Sequence, residues 1–206
     1  MISEHKAKAI LSNELQFSAN KLSKLGEFVK ILLNYNRNRN LISKSSEEVI
    51  WSRHVLDSAQ LVKYIDPIKC NSLADLGTGG GFPGIVLAIF FSDCNFHVKL
   101  YEKSLIKATF LRETVSKLNL KAKVFQDDVS TISIDSNHIV CRAFRKLDYI
   151  LKISRENCGK NHKIIILKGK TSHSEIKKAL MDKKYEYRLE NSITKQDSKI
   201  VILKKR

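Results

Sequence analysis

The chain of 206 residues has four cysteines, Cys70, Cys94, Cys141 and Cys158, and no two of them form a C-x-x-C pair. That spacing offers no zinc site, dithiol redox motif or disulfide framework, and it suits a reducing compartment. Long apolar runs are missing too: the longest, Ile85–Phe91, falls far short of the ~20 residues that span a bilayer. Residues 1–15 interleave charged and apolar side chains and hold no apolar leader core, so a soluble, cytoplasmic protein with no membrane partner is expected. The sequence has no internal repeat, no Pro/Gly/Ser linker and no low-complexity tract. A chain of this length without such breaks buries one substantial core.

Charge is plentiful and lopsided. There are 37 Lys and Arg against 21 Asp and Glu, a formal net charge of +16. Residues 1–141 hold 18 basic and 14 acidic side chains, whereas residues 142–206 hold 19 and 7. A positive surface of this size attracts polyanions by counterion release, which makes nucleic acid the leading partner. Composition alone fits a Lys-rich soluble protein equally well.

Apolar periodicity divides the chain in two. Leu22, Leu25, Phe28, Val29, Leu32 and Leu33 recur at helical spacing, and Val49, Ile50, Val55, Leu56 and Leu61 point to further helices. From about residue 71 the texture becomes short apolar runs separated by polar stretches: Ser72–Leu76, Phe96–Tyr101, Lys123–Phe125, His138–Cys141, Ile164–Leu167 and Ile200–Leu203. This alternation predicts a parallel βαβ sheet, with one amphipathic helix over Ile106–Leu118 and another beginning at Ile176–Leu180. Residues 1–70 are expected to form a helical cap packed on the same core, and residues 71–206 a ligand-binding α/β domain.

The strongest local signal is Leu73-Ala-Asp75-Leu-Gly77-Thr78-Gly79-Gly-Gly81-Phe82-Pro83-Gly84, between an apolar strand and an apolar helix. Five glycines in eight residues suit a strand–turn–helix crevice for a nucleotide-like ligand. Gly79, Gly81 and Gly84 also satisfy G-x-G-x-x-G, the dinucleotide pattern. Pro83 removes one of the N–H donors that a pyrophosphate needs. Asp75 stands two residues before Gly77, where an anion can help hold the cationic amino acid moiety of S-adenosylmethionine, which NAD lacks; a turn-stabilising carboxylate is the alternative. Glu102 follows the second strand at the distance where a carboxylate meets both ribose hydroxyls of an adenosine ligand. Asp127, Asp128, Val129 and Ser130 follow the third strand, where adenine is usually held, although an aspartate pair there also suits a turn or cap.

The chain resembles the RsmG (glucose-inhibited division protein B) family, bacterial methyltransferases acting on guanine N7 of small-subunit 16S ribosomal RNA. The matching segments are Asn40-Leu41-Ile42-Ser43, Arg53-His54-Val-Leu-Asp57-Ser58, Asp75 through Gly84, Phe110-Leu111-Arg112, Arg142-Ala143-Phe144 and Leu167-Lys168-Gly169. The resemblance implies a class I methyltransferase fold: α/β, a Rossmann-like doubly wound, mostly parallel sheet with an N-terminal helical cap. It implies S-adenosyl-L-methionine as cofactor, no metal, and 16S rRNA or the small ribosomal subunit as partner of a monomer. It places Gly77, Phe82, Val129, Ser130 and Arg142 at the cofactor, beside Asp75, Thr78, Gly79, Gly81, Glu102 and Asp128. The family usually has an acidic residue where Ser130 stands and often an arginine where Asp128 stands, so adenine contacts from backbone and apolar groups are expected.

Guanine N7 has an in-plane lone pair and no proton to lose, so its methylation needs positioning rather than a general base. The sequence lacks the Asn/Asp-Pro-Pro-Tyr/Phe motif of exocyclic-amine methylation and the Pro-Cys pair of pyrimidine C5 chemistry. Three positioning candidates remain. Arg142 ends the fourth strand and could donate to guanine O6 or to phosphate; its alternative is an ion pair with Asp128. His54 could face substrate, or be satisfied by Asp57 one helical turn on. Lys168 ends the fifth strand and could bind phosphate, or simply be solvated. Two other functional classes stay open: an NAD-linked oxidoreductase, and an RNA-binding module that has lost catalysis.

Overall fold

A computed structural model describes residues 2–159, 162–169, 176 and 185–205. Helices α1 (Glu4–Asn13) and α2 (Ala19–Asn36) start at serine caps, Ser3 and Ser18, whose hydroxyls accept from Lys6 N and Lys21 N. Such a cap satisfies an N–H that the helix itself leaves unpaired. Helix α2 buries Leu25, Phe28, Val29 and Leu32, the stripe its spacing predicts. Asn36 ends it and staples the following loop: its Oδ1 accepts from Leu41 N and Ile42 N at 2.7 and 3.0 Å, and its Nδ2 donates to Ile42 O at 3.1 Å. After α3 (Lys44–Glu47) the chain runs through π-turns at Trp51–Leu56, α4 (Asp57–Ala59) and a 3₁₀ stretch at Gln60–Tyr64 without a break.

Among the described residues, seven strands then form one sheet in the order β3-β2-β1-β4-β5-β7-β6. They are β1 (Ser72–Leu76), β2 (His97–Tyr101), β3 (Ala122–Phe125), β4 (His138–Arg142), β5 (Lys163–Lys168), β6 (Tyr185–Asn191) and β7 (Lys199–Lys205). The pairs from β3 to β5 are parallel, and β7 runs antiparallel to both β5 and β6. The doubly wound, mostly parallel α/β fold is therefore present. Strand order reverses between β1 and β4, the switch point where such sheets hold ligands beyond their strand C-termini.

Helix α5 (Gly84–Phe90) is buried on all sides from Gly84 to Ile89, as a helix apolar all round must be. It joins the N-terminal helices to the sheet in one apolar cluster that includes Leu11, Phe28, Val55, Ile85, Leu100 and Ile165. Helices α6 (Leu105–Lys117) and α7 (Leu147–Glu156) complete the described layers, and α7 packs Ile150, Leu151 and Ile153 into a second cluster with Ile139, Ile164 and Val201.

The structure departs from the sequence reading at the end of the chain. Strand β6, Tyr-Glu-Tyr-Arg-Leu-Glu-Asn, went unpredicted because as an edge strand it buries only Tyr185 fully. The helix expected from Ile176 lies outside the described residues except for Ile176, which is helical and buried. Among the described residues no helix is long and apolar enough to cross a membrane.

Candidate functional site

A cavity of about 410 Å³ opens beyond the C-terminal ends of β1, β2 and β4, lined by the glycine turn, Glu102, Asp128, Val129 and the segment Arg142–Arg145. The turn can form there only with glycine at its tightest points. Gly77 has φ +69°, and an added Cβ would stand 2.1 Å from the Phe144 ring. Gly84 has ordinary backbone angles, but a Cβ would stand 2.3 Å from Leu100 and 2.6 Å from Asp75 Oδ2. Gly79 differs: a Cβ there would meet only Gly77 O at 3.8 Å, so its open side is the cavity itself.

Six amides of the turn are occupied internally. Gly77 N and Thr78 N donate to Tyr101 O, Gly79 N to Glu102 Oε2 at 3.0 Å, Gly81 N and Phe82 N to Thr78 O, and Gly84 N to Asp75 Oδ2 at 2.8 Å. A pyrophosphate site needs such N–H groups free at the helix start. Here the carboxylate of Asp75 caps α5 instead, which argues against the dinucleotide reading more directly than Pro83 does.

Asp75 is fully buried and lies beneath the turn, off the cavity wall. Burial pushes its carboxyl up to about 7, against the opposing hydrogen bonds from Gly84 and Thr78. Its Oδ1 has no partner among the described residues. Asp75 is absent from the cavity lining, and its bond from Gly84 N is the one that the turn-stabilising alternative describes.

Glu102 does face the cavity, 8 % exposed. Gly79 N and Ser104 N fix one carboxylate oxygen each, at 3.0 and 2.9 Å. Each oxygen keeps a lone pair, so the carboxylate can still accept two hydroxyls in a fixed orientation. Thr78, Gly79, Phe82, Asp128 and Val129 also line this cavity, whereas Gly81 and Ser130 do not. Gly81 is turned towards Phe28 and Ile85. Ser130 is exposed, and its N and Oγ both donate to Asp128 Oδ1 at 3.0 and 2.8 Å, which holds that carboxyl below its usual range. Tyr101, Asp127, Asp128 and Val129 line the cavity on this side.

The opposite wall joins three separated motifs at one ring. Phe82 stacks on His54 with centroids 4.8 Å apart, and the Arg142 guanidinium lies 5.2 Å from the same ring. Arg142 Nη1 donates to Arg53 O at 2.8 Å and pairs with Asp57 Oδ2 at 3.4 Å, while Nη2 bonds His54 Nδ1. Both alternatives weighed from sequence are thereby corrected: the ion-pair partner of Arg142 is Asp57, not Asp128, and His54 bonds Arg142 through Nδ1, not Asp57, with its buried Nε2 unpartnered among the described residues. The cause is the run of π-turns, which presents the Arg53 carbonyl and His54 to β4.

A guanidinium has only donors, so His54 Nδ1 must accept and the ring is neutral with its proton on Nε2. Burial first, then the charges of Arg142 and Arg53, hold His54 at about 3. Asp57 is a hub that sequence spacing did not reveal. Its Oδ1 accepts from Thr194 Oγ1 at 2.7 Å and Gln60 Nε2 at 3.0 Å, tying the β6–β7 loop to the helical segment. Burial pushes the Cys141 thiol up, and the Cys158 thiol to about 12, so neither is a poised nucleophile. Among the described residues no cluster of His, Cys, Asp and Glu is arranged to hold a metal. Lys168 lies on a neighbouring cavity and donates to Arg145 O at 2.9 Å.

Comparison with known proteins agrees with this geometry. A family model described as rRNA small subunit methyltransferase G matches residues 21–201. The ribosomal RNA small subunit methyltransferase G of Pelagibacter ubique is 34 % identical over 183 residues, 86 % of this chain and 85 % of that protein. Its namesake from Rickettsia akari is 35 % identical over 191 residues, 91 % and 95 % of the two chains. Among solved structures, a ribosomal protein L11 methylase from Lactobacillus delbrueckii aligns with a TM-score of 0.59 at 14 % identity, covering 75 % of this chain and 79 % of its own. The magnesium protoporphyrin IX methyltransferase of Synechocystis with bound SAM gives 0.63 at 11 % identity, covering 93 % and 99 %. These two likenesses concern the fold. With the family model spanning the helical segment, the glycine turn and the sheet to β7, the chain belongs to the rRNA small subunit methyltransferase G family.

Proposed function

We propose that this chain transfers a methyl group from S-adenosyl-L-methionine to N7 of a guanine in the 16S RNA of the small ribosomal subunit, as a cytoplasmic monomer. One observation beyond family membership supports it most: the switch-point cavity has a fixed carboxylate, Glu102, on one wall and a fixed cation, Arg142, on the other. Glu102 suits a ribose diol, the open side of Gly79 suits close approach of a ligand to backbone, and Val129 with Tyr101 suits an adenine face. Residues 1–70 serve as the helical cap and residues 71–206 as the cofactor-binding domain. The bound cofactor supplies an electrophilic methyl on a sulfonium sulfur.

What the protein contributes is positioning. Guanine N7 attacks with its own lone pair, so no side chain has to remove a proton. Contacts within the described residues use three of the five N–H groups of Arg142, leaving Nε–H and one Nη2–H for an acceptor such as guanine O6. Neutral His54 fixes the guanidinium plane. Asp75 acts indirectly, by holding the glycine turn.

Calorimetric titration tests the cofactor half of this reading: S-adenosylhomocysteine should bind and NAD should not. Comparable NAD affinity would return the oxidoreductase reading. Radiolabelled methyl should pass from the donor to small-subunit RNA, and a protein that binds the donor but labels no RNA would instead be a module without catalysis.

A further inference from the structure

A second cavity, about 530 Å³, lies between the helical segment, the end of β5 and the β6–β7 loop. It shares His54, Arg142 and Ala143 with the first cavity, so anything bound in it meets the cofactor cavity across that wall. The rest of its lining brings three further cations together, Arg53 from the π-turns, Lys168 from β5 and Lys195 from the loop, beside the hydroxyls of Thr194 and Ser198. These cations come from elements far apart in sequence, and Asp57 holds the arrangement by binding both Arg142 and Thr194. Its volume lies within the roughly 300–1,000 Å³ typical of pockets that enclose a small molecule.

We propose that this second cavity receives the acceptor nucleotide, turned out of its RNA, with its base against Arg142 and its phosphates against Arg53, Lys168 and Lys195. The inference rests on the reading of the chain as an RNA methyltransferase. A base inside a helix cannot bring N7 into line with a buried methyl group, so it must be everted or come from a single strand. The N–H groups on the shared wall can donate to a carbonyl oxygen at position 6 of a purine and oppose an amino group there, which favours guanine over adenine. The cations suit phosphates, which position the nucleotide without reading its sequence.

The test uses the full chain saturated with S-adenosylhomocysteine, so that the first cavity is filled, and guanosine 5′-monophosphate as probe. Saturation-transfer NMR should detect the bound nucleotide with the wild-type protein, and adenosine 5′-monophosphate should give a weaker signal. Ser198→Trp, which fills the cavity, should abolish the signal, and Lys195→Glu, an exposed change, should weaken it at least fivefold. Both variants should bind S-adenosylhomocysteine within twofold of wild type, which also shows that they fold. Lys117→Glu, at the end of α6, is the control and should change nothing. No guanosine monophosphate signal with the wild-type protein, or an unaltered signal in both cavity variants, overturns the proposal. A wild-type protein that binds the nucleotide yet labels no RNA leaves the cavity assigned and refutes the methyltransferase reading instead.

Discussion

Arg142 carries the most consequence of any single residue, because its guanidinium is held by Asp57, His54 and the Arg53 carbonyl at once. An ammonium keeps the charge and loses the planar fork. Losing a charge-assisted hydrogen bond costs about 1.5–3 kcal/mol, so Arg142→Lys should slow single-turnover methyl transfer by about ten- to a hundredfold. Thermal melting should show the fold intact. Wild-type turnover in the folded variant would make Arg142 a structural partner of Asp57 and nothing more.

Asp75 allows a test with a defined pH dependence. Its carboxyl is raised from 3.8 to about 7 in the folded protein, chiefly by burial. Between those values the unfolded chain has released the proton that the folded chain still holds, so stability from this group is full below about pH 4 and lost as pH rises through 7. Asp75→Asn keeps an acceptor for Gly84 N and does not titrate. The wild-type protein should therefore lose stability relative to Asp75→Asn over this range, as read from denaturant midpoints at several pH values; a constant difference would show Asp75 ionised throughout. Asp75→Ala removes the acceptor and should weaken cofactor binding at every pH.

At the scale of elements, the glycine turn and strand β1 are the parts the sequence displays most openly. Backbone demands at Gly77 and Gly84 leave a compositional trace, and parallel strands buried on both faces read as continuous apolar runs. Gly77→Ala places a methyl against Phe144 in a left-handed backbone, and that strain costs about 1–3 kcal/mol. It should melt lower and lose cofactor affinity. Adding Phe144→Ala should recover part of the loss, the clash but not the strain, and a strictly additive double mutant would contradict the contact. The π-turns were not legible, because their sequence has the same apolar spacing as an α-helix. Nor was the Asp57–Thr194 bond, between residues 137 apart in sequence, for which no periodicity leaves a signal. For Asp75, sequence gives the distance from the glycines but not the side of the loop it occupies.

Over the whole molecule, the two cavities meet at a wall built by His54 of the helical segment and by Arg142 and Ala143 at the end of β4, and the positive charge concentrates in the chain from Arg142 onward. RNA affinity should fall steeply with salt, since each neutralised phosphate contributes about −0.7 to −0.9 to the slope of log K against log salt. Three phosphate contacts correspond to a slope of about −2 or steeper, and a flat response would remove the cationic face from RNA binding. The most direct measurement is the identity of the product. Small-subunit RNA labelled by the wild-type protein from methyl-labelled S-adenosylmethionine should be digested to nucleosides and separated. All of the label should run as 7-methylguanosine, and label in a methylated adenosine, in a pyrimidine or on an exocyclic amine would contradict the N7 chemistry assigned to this site.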